Sequence, residues 1–191
     1  MIDLGAYYNA GLAETWLPSA TVKSGNDLSA LTPSVQKFNG VEFDARGVIQ
    51  LTSSAVENLG APLPREVAGI PVQRKVRRLH FLHGAAWDAP HGTVIGGYRI
   101  HYANGETREV KLVFGVNVRE WWSSPQQVPI TSEAAVAWQG ANAASRAVGM
   151  AVRLYQMSWW NRLPDVEVSR LDFFSTLAKP APFLLAVTAE P

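Results

Sequence analysis

The stretch YRIHYANGETREVKL, residues 98–112, decides the fold class. Apolar and polar side chains alternate on both sides of Asn104-Gly105, as expected for β-strands with one buried face. Asn-Gly is the strongest short hairpin signal, because both residues accept a positive φ. The stretch therefore predicts an antiparallel pair of strands joined by a tight turn.

Short alternating segments of this kind recur along the whole chain. Stretches rich in Gly and Pro separate them, and no segment shows a convincing amphipathic helix. The predicted strands are 2–4, 41–44, 48–51, 76–83, 95–102, 107–114, 134–138, 150–157, 166–174 and 183–188. We expect an all-β fold, a jelly-roll β-sandwich of two antiparallel sheets. The length suits a single module (1–191), with an irregular N-terminal segment (1–37) packed on a core (38–190).

Charge and composition exclude several classes of protein. The 17 basic residues balance 16 acidic ones for a net charge of +1, whereas nucleic-acid binders usually carry a basic excess. The one basic run, Arg74 to Arg78, is interpreted as a strand edge that charges protect from unwanted pairing. The chain has no Cys, which excludes thiol catalysis and thiolate metal sites. No apolar run approaches the roughly 20 residues of a membrane span. We therefore expect neither nucleic-acid binding nor membrane insertion.

The sequence contains no recognisable catalytic motif. There is no Gly-rich phosphate loop, no His-Glu-x-x-His and no nucleophile elbow. A glycosidase would need two carboxylates flanking a cleft, and only Glu120, Asp165 and Asp172 lie near aromatic loops. We therefore expect a protein that is not an enzyme.

The four His residues invite a metal hypothesis, because His80, His83, His91 and His101 lie close together in the sequence. His80 and His83 are three apart on a predicted strand, so they face opposite sides of it. The alternative is that His83 caps the end of the strand and His80 lies on an outer face. Whether the protein holds a metal ion stays open.

Tryptophan gives the most informative pattern for function. Five Trp lie in or beside predicted loops: Trp87, Trp121, Trp122, Trp159 and Trp160. Neighbours on a strand face opposite sides, so each adjacent pair must place one indole near the surface or in a covering loop. Exposed aromatic rings mark binding sites, and an indole can stack on the flat C–H face of a sugar. Asp88, Arg119, Asn161 and Arg162 would supply the hydrogen bonds. The alternative is that these indoles plug the ends of the sandwich.

A second candidate site follows from alternation alone. One side of the predicted strands carries His80, Arg99, His101, Lys111, Arg153 and Tyr155. If these strands are neighbours, they form a cationic face that could bind sugar hydroxyls or an acidic glycan. The alternative is an ordinary solvated sheet face.

Seven segments of the chain together carry a resemblance to a known family: 70–72, 79–86, 95–105, 115–122, 137–140, 165–168 and 171–173. They resemble the galactose-binding-like β-sandwich modules, and among these the NPCBM-type domains of large exported bacterial proteins. The resemblance covers residues 38–190 and implies a jelly roll with ligands bound by loops at one end. It also implies a structural calcium ion, which many such modules hold, but it assigns no binding residue to this chain.

Carbohydrate binding is the leading hypothesis from the sequence. We expect a non-catalytic module that binds a glycan as part of a larger extracellular or periplasmic protein, with covalently linked neighbouring domains. The residues after Met1 show no signal peptide, so we expect the leader of such a protein to be missing from this sequence. The alternative is a structural or protein-interaction module of an envelope or secreted protein, because Trp residues also anchor protein interfaces.

Overall fold

The computed structural model describes residues 1–16, 24–124, 126 and 131–191, and the regular structure of this part is mostly β. The strands are β1 (Ala10–Gly11), β2 (Ser34–Phe38), β3 (Val41–Ala45), β4 (Gly47–Gln50), β5 (Glu66–Arg74), β6 (Arg78–Ala86), β7 (Val94–Tyr102), β8 (Thr107–Val113), β9 (Trp122–Ser123), β10 (Ala134–Gly140), β11 (Ala151–Trp160), β12 (Val168–Ser175) and β13 (Ala181–Glu190). The helices are α1 (Ser54–Asn58) and α2 (Ala143–Ala147). Across the described ranges, no helix is long and apolar enough to cross a membrane.

Two antiparallel sheets form the body of the molecule, and they confirm the all-β sandwich expected from the sequence. The larger sheet has the strand order β1-β4-β13-β6-β11-β10, and β9 also pairs with β11. The smaller sheet has the order β5-β12-β7-β8, and β2 and β3 form a separate hairpin. The chain passes from one sheet to the other between β5, β6 and β7, and again between β11, β12 and β13. This alternation is the course of a jelly roll.

The main core lies between the two sheets and is centred on a stack of three aromatic rings. The ring of Tyr98 in β7 lies 3.9 Å from that of Phe81 in β6 and 5.2 Å from that of Phe173 in β12. All three side chains are fully buried. Aromatic pairs at such distances add about 1 kcal/mol each beyond the burial of their area, so this stack helps to hold the sheets together.

A second core covers the opposite face of the larger sheet. Leu12, Trp16, Leu28 and Leu31 of the N-terminal segment pack there together with Phe43 of the β2–β3 hairpin. The larger sheet is therefore buried on both faces. An N-terminal segment packed on the sandwich was expected, but it was expected to be irregular, whereas β2 is a regular strand within it.

The predicted hairpin at Asn104-Gly105 is present, with a different turn. β7 and β8 pair with Tyr98 opposite Val110. Only Gly105 takes a positive φ, of 87°, while the side chain of Asn104 accepts a hydrogen bond from the Glu106 amide. The loop is thus longer than the two-residue turn that an Asn-Gly pair usually makes.

Two predicted loops contain parts of strands. Residues 53–69 were expected to be irregular because of their Pro and Gly residues, yet β5 begins at Glu66. β5 is an edge strand, which tolerates Pro71, and Gly69 with φ of 79° lies at a bulge opposite β12. Residues 159–165 were also expected to form a loop, but β11 continues through Trp159 and Trp160.

Candidate functional site

The nine residues predicted to bind a ligand lie at opposite ends of β11. Trp122 pairs with Val152 near the start of the strand, whereas Trp160 pairs with Arg78 at its end. Val152 and Trp160 are separated by about 26 Å, at about 3.3 Å per residue of strand. The first end holds Trp87, Asp88, Arg119, Trp121 and Trp122, and the second end holds Trp159, Trp160, Asn161 and Arg162. The predicted residues therefore do not form a single site.

A pocket of about 250 Å³ opens at the first end of β11, and we name it the end pocket. Its lining residues are Asp88, Ala89, Phe114, Arg119, Glu120, Trp122, Ser123, Met150, Arg153 and Tyr155. Charged and aromatic side chains thus share one small cavity. Three of the predicted residues lie here: Asp88, Arg119 and Trp122.

Backbone hydrogen bonds fix the segment that carries most of this lining. The Ala85 amide donates to the Arg119 carbonyl, and the Trp121 amide donates to the Ala85 carbonyl at 2.8 Å. From the other side, the Arg153 amide donates to the Trp121 carbonyl at 2.7 Å. Residues 119–123 are therefore held between β6 and β11, so their side chains are presented on a rigid support.

Trp87 contributes through its backbone. Its φ of 65° is a left-handed conformation that is rare for a bulky residue. In this conformation the Trp87 N–H donates a hydrogen bond to the carboxylate of Glu120. Strained backbone of this kind clusters at functional sites, so this conformation is a first sign that the geometry of the pocket matters.

Glu120 has an unusual protonation equilibrium. Burial raises the pKa of Glu120 to about 7, and the negative charge of Asp88 acts in the same direction. The positive charge of Lys179 and the Trp87 amide act against this rise; the Lys179 Nζ lies 3.6 Å from the Asp88 carboxylate. Near neutral pH, Glu120 can therefore either donate or accept a hydrogen bond.

A buried guanidinium forms another part of the pocket wall. Arg153 is only 3% exposed, and its Nε donates to the Gln139 side chain at 2.7 Å. It also donates to the carbonyl of Ser124. The neighbouring Tyr155 hydroxyl donates to the Glu120 carbonyl at 3.3 Å, and burial raises the pKa of Tyr155, so the phenol stays neutral. These hydrogen bonds offset the cost of burying the two polar groups, and they hold a guanidinium and a phenol in the pocket wall.

Ser123 provides the clearest sign of a missing contact. The residue is 6% exposed, and its hydroxyl has no hydrogen-bond partner among the described residues. Buried side-chain hydroxyls nearly always have a partner. Ser123 lines the end pocket, and a small rotation of its side chain toward the cavity would let a ligand or a water molecule supply this partner.

Trp87 and Trp122 are both half-buried. Both pack against the second core. The Trp122 indole N–H also donates to the Asn26 side chain at 3.1 Å. Trp122 thus forms a wall of the end pocket, while Trp87 lies beside the pocket without lining it.

The expectation that Trp121 stacks on a ligand is wrong. Trp121 is 2% exposed, and its ring lies 4.6 Å from that of Trp16 and 5.6 Å from that of Phe183. The physical reason is the N-terminal layer, which turns the far face of the larger sheet into a second core. Trp121 is an anchor of that core.

The expectation that Asn161 binds a ligand is also wrong. Its side chain is buried, and its amide nitrogen donates to the carbonyls of Val76 and Leu163. Its oxygen accepts from the Leu163 amide and from the Tyr102 hydroxyl. All four hydrogen-bonding positions of the amide are used, so Asn161 holds the loop after β11 in place.

The second end of β11 carries an open groove beside an exposed indole. Trp160 is 60% exposed, and the Arg78 guanidinium lies 3.6 Å from its ring centroid. The adjoining Trp160 groove, of about 420 Å³, is lined by Lys75, Val76, Arg77, Trp160, Asn161, Pro164, Asp165 and Pro191. Trp159 is half-buried against the main core, and Arg162 is exposed. Of the residues predicted at this end, only Trp160 presents an open ring.

The His residues do not come together as a metal site. His83 bonds to Tyr98 and Asn117, His101 to Asp172, and His80 to Ser158 and Glu190. Within the part of the chain that the structure describes, no group of three His, Asp or Glu side chains could hold a metal ion. The structural calcium ion implied by the family resemblance therefore has no assigned residues and stays a prediction.

The cationic face expected from alternation does not exist, because its residues belong to different sheets. Arg99, His101 and Lys111 lie on β7 and β8 of the smaller sheet. His80, Arg153 and Tyr155 lie on the larger sheet, where all three are buried. The three carboxylates near aromatic loops are also dispersed: Glu120 lines the end pocket, Asp165 lines the Trp160 groove, and Asp172 lies on β12.

Sequence reasoning missed most of the polar residues of the end pocket. Arg153 and Tyr155 were placed on a candidate cationic face together with residues of the other sheet, and Ser123 was not considered. Glu120 was noted only as a possible member of a glycosidase pair. The available signal was its position two residues before Trp122, which lines the same pocket.

Comparison with known proteins identifies no relative, so the functional hypothesis is based on the geometry of the structure. The chain matches no protein-family model and none of the curated proteins. The resemblance to galactose-binding-like modules accordingly stays a prediction.

Proposed function

We propose that this chain is a non-catalytic carbohydrate-binding module that holds its saccharide in the end pocket. The observation that carries the proposal is a small polar pocket with a buried, unpartnered Ser123 hydroxyl. A saccharide offers many hydroxyl groups, each of which donates and accepts. Such a ligand suits a pocket that combines carboxylates, guanidinium groups and an unsatisfied hydroxyl.

The residues of the end pocket take separate roles in this proposal. Asp88 and Glu120 accept hydrogen bonds from sugar hydroxyls, and Arg119 donates to sugar oxygens. Trp122 provides an apolar wall against a C–H face of the ring. The volume of about 250 Å³ accommodates one sugar ring or the end of a chain, rather than the middle of a polymer.

The cellular context is also a proposal and rests on the family resemblance. The module would act outside the cytoplasm, as one domain of a larger polypeptide that acts on or adheres to glycans. A structural or protein-interaction role is the alternative, and a glycan screen separates the two.

The substitution Ser123→Ala tests the site with little risk to the fold. The hydroxyl has no partner among the described residues, so its removal should leave the unfolding free energy unchanged or slightly raised. Affinity for the saccharide should fall by about fivefold to tenfold, because the ligand loses one buried hydrogen bond. The measurement is a glycan-array screen followed by titration calorimetry with the best saccharide.

Ser169→Ala is the matched control, because Ser169 donates to the His101 carbonyl on the smaller sheet, away from the pocket. Its affinity should equal that of the unmodified protein. Retention of no saccharide by the unmodified protein, or equal affinity in Ser123→Ala, would contradict the proposal.

A further inference from the structure

We infer that the Trp160 groove is a second ligand site, separate from the end pocket, which binds an acidic polysaccharide through its uronate carboxylates. The inference rests on the proposed function for its choice of a carbohydrate. The preference for a negatively charged ligand rests on the residues of the groove itself.

The exposed indole is the first observation. A Trp that is 60% exposed leaves much of its ring in water. The guanidinium of Arg78 stacks at 3.6 Å from the ring centroid and also lies 3.6 Å from the Glu190 carboxylate. Arg78 therefore supports one face of the indole, and the other face is available to a flat ring.

The charges around this indole are the second observation. Lys75 and Arg77 line the groove, and within the described ranges neither side chain has an ion-pair or hydrogen-bond partner. Arg162 is exposed and lies next in the chain to Asn161, which also lines the groove. Among the described residues, Asp165 is the one acidic side chain that lines the groove. The excess of unpaired cations attracts a ligand that carries negative charge.

The shape of the groove distinguishes its ligand from that of the end pocket. The groove is larger, at about 420 Å³ against about 250 Å³, and it lies open beside the strand end. An open groove can take the interior of a chain. A uronate polymer combines the two features that the groove can bind, namely a pyranose ring for the indole and a carboxylate for Lys75 or Arg77.

The test is a titration with a galacturonic acid hexamer, compared with its fully methyl-esterified counterpart, which has the same rings without the charges. Indole N–H signals in heteronuclear NMR spectra report the two sites separately, through Trp160 for the groove and Trp122 for the end pocket. We expect the acidic hexamer to shift the Trp160 signal and to bind at least about tenfold more tightly than the ester.

Two variants and a control assign the binding to the groove. Trp160→Ala should weaken binding of the hexamer by about tenfold, since it removes the stacking surface. The double variant K75Q/R77Q should weaken it similarly and should reduce its dependence on salt. The control K111Q/R170Q removes two exposed charges from the smaller sheet and should leave the affinity within about twofold.

Several outcomes would overturn the inference. They are the absence of hexamer binding, equal affinity for acid and ester, or unchanged affinity in K75Q/R77Q. The test also separates the two sites. If Ser123→Ala weakens saccharide binding and the Trp160 signal does not shift, the end pocket is supported and the groove is refuted. If the Ser123→Ala variant binds the hexamer as tightly as the unmodified protein does, the groove is supported, whatever ligand the end pocket binds.

Discussion

At the scale of single residues, Glu120 is the group whose charge state matters most in the end pocket. Its pKa is raised to about 7, chiefly by burial, so the folded protein binds its proton more tightly than the unfolded chain does. Between about pH 4.5 and 7 the unfolded state is already ionised and the folded state is not. Glu120 therefore makes the protein less stable as the pH rises through this window.

The substitution Glu120→Gln should remove this pH dependence. The unfolding free energy of the variant relative to the unmodified protein should increase by about 2 kcal/mol between pH 4.5 and 8, after allowance for partial exposure. Urea unfolding at several pH values measures the difference. Glu109→Gln, on the exposed side of β8, is the control and should show no such trend. A constant difference across the pH range would show that Glu120 ionises normally.

At the scale of elements, the bulge in β5 is tied to a buried carboxylate on β12. Gly69, with φ of 79°, directs its amide to Asp172 at 2.9 Å, and His101 Nε2 lies 2.6 Å from the same carboxylate. Burial alone would raise the pKa of Asp172, but these hydrogen bonds and the charges of His101 and Arg99 together hold the pKa below its usual value. The ionised carboxylate thus joins three strands of the smaller sheet.

The substitution Asp172→Asn should destabilise the protein by about 2 kcal/mol at neutral pH, because a charge-assisted set of hydrogen bonds is weakened. A lowered pKa adds stability above the ordinary pKa of Asp, and that stability is lost as the pH falls through the pKa of the folded state. The difference between the two proteins should therefore shrink in acid. Denaturant unfolding at pH 7 and pH 3 measures this, with the exposed Asp165→Asn as control. An equal penalty at both pH values would exclude an ionised Asp172 as the source.

The same elements show how far sequence reasoning reaches. The β7–β8 hairpin was predictable because its strands and turn are adjacent in the chain. The strand β5 was not, since Pro71 and Gly69 disfavour a strand unless it lies at an edge with a bulge, and only the fold decides that. The end pocket was predictable only in part, because Arg153 and Tyr155 reach it through the pairing of β11 with distant strands. The sequence predicted correctly that both side chains lie on the same side of their strand, but it combined them with residues of β7 and β8, which belong to the other sheet.

At the scale of the whole molecule, His83 is a buried group inside the sandwich whose ionisation affects stability below neutral pH. Its Nε2 lies 3.0 Å from the Asn117 carbonyl, so Nε2 carries the proton, and Nδ1 accepts from the Tyr98 hydroxyl at 2.9 Å. Burial lowers the pKa of His83 to about 4, which keeps the ring neutral. Protonation of Nδ1 would put a second donor against Tyr98 in the main core.

The pH dependence of stability that follows from His83 opposes that of Glu120. Below about pH 6.5 the unfolded chain protonates this His, while the folded protein does not do so until about pH 4. His83 therefore makes the protein more stable as the pH rises from 4 to 6.5, by up to about 3 kcal/mol. Over most of this range Glu120 acts in the opposite direction, so the unmodified protein should vary little in stability between pH 4.5 and 6.5.

The substitution His83→Gln should reveal the pH dependence of stability that Glu120 alone produces. The variant should lose about 1 to 3 kcal/mol at neutral pH through its disturbed hydrogen bonds. Its stability should then fall as the pH rises from 4.5 to 6.5, because the raised pKa of Glu120 is no longer opposed by the lowered pKa of His83. Glu120→Gln should show the reverse slope, and the double variant should be nearly flat. Urea unfolding of the four proteins across this range measures all three slopes. Parallel curves would mean that neither the core nor the end pocket perturbs its ionisable group, and that the near-neutral stability of the sandwich has another origin.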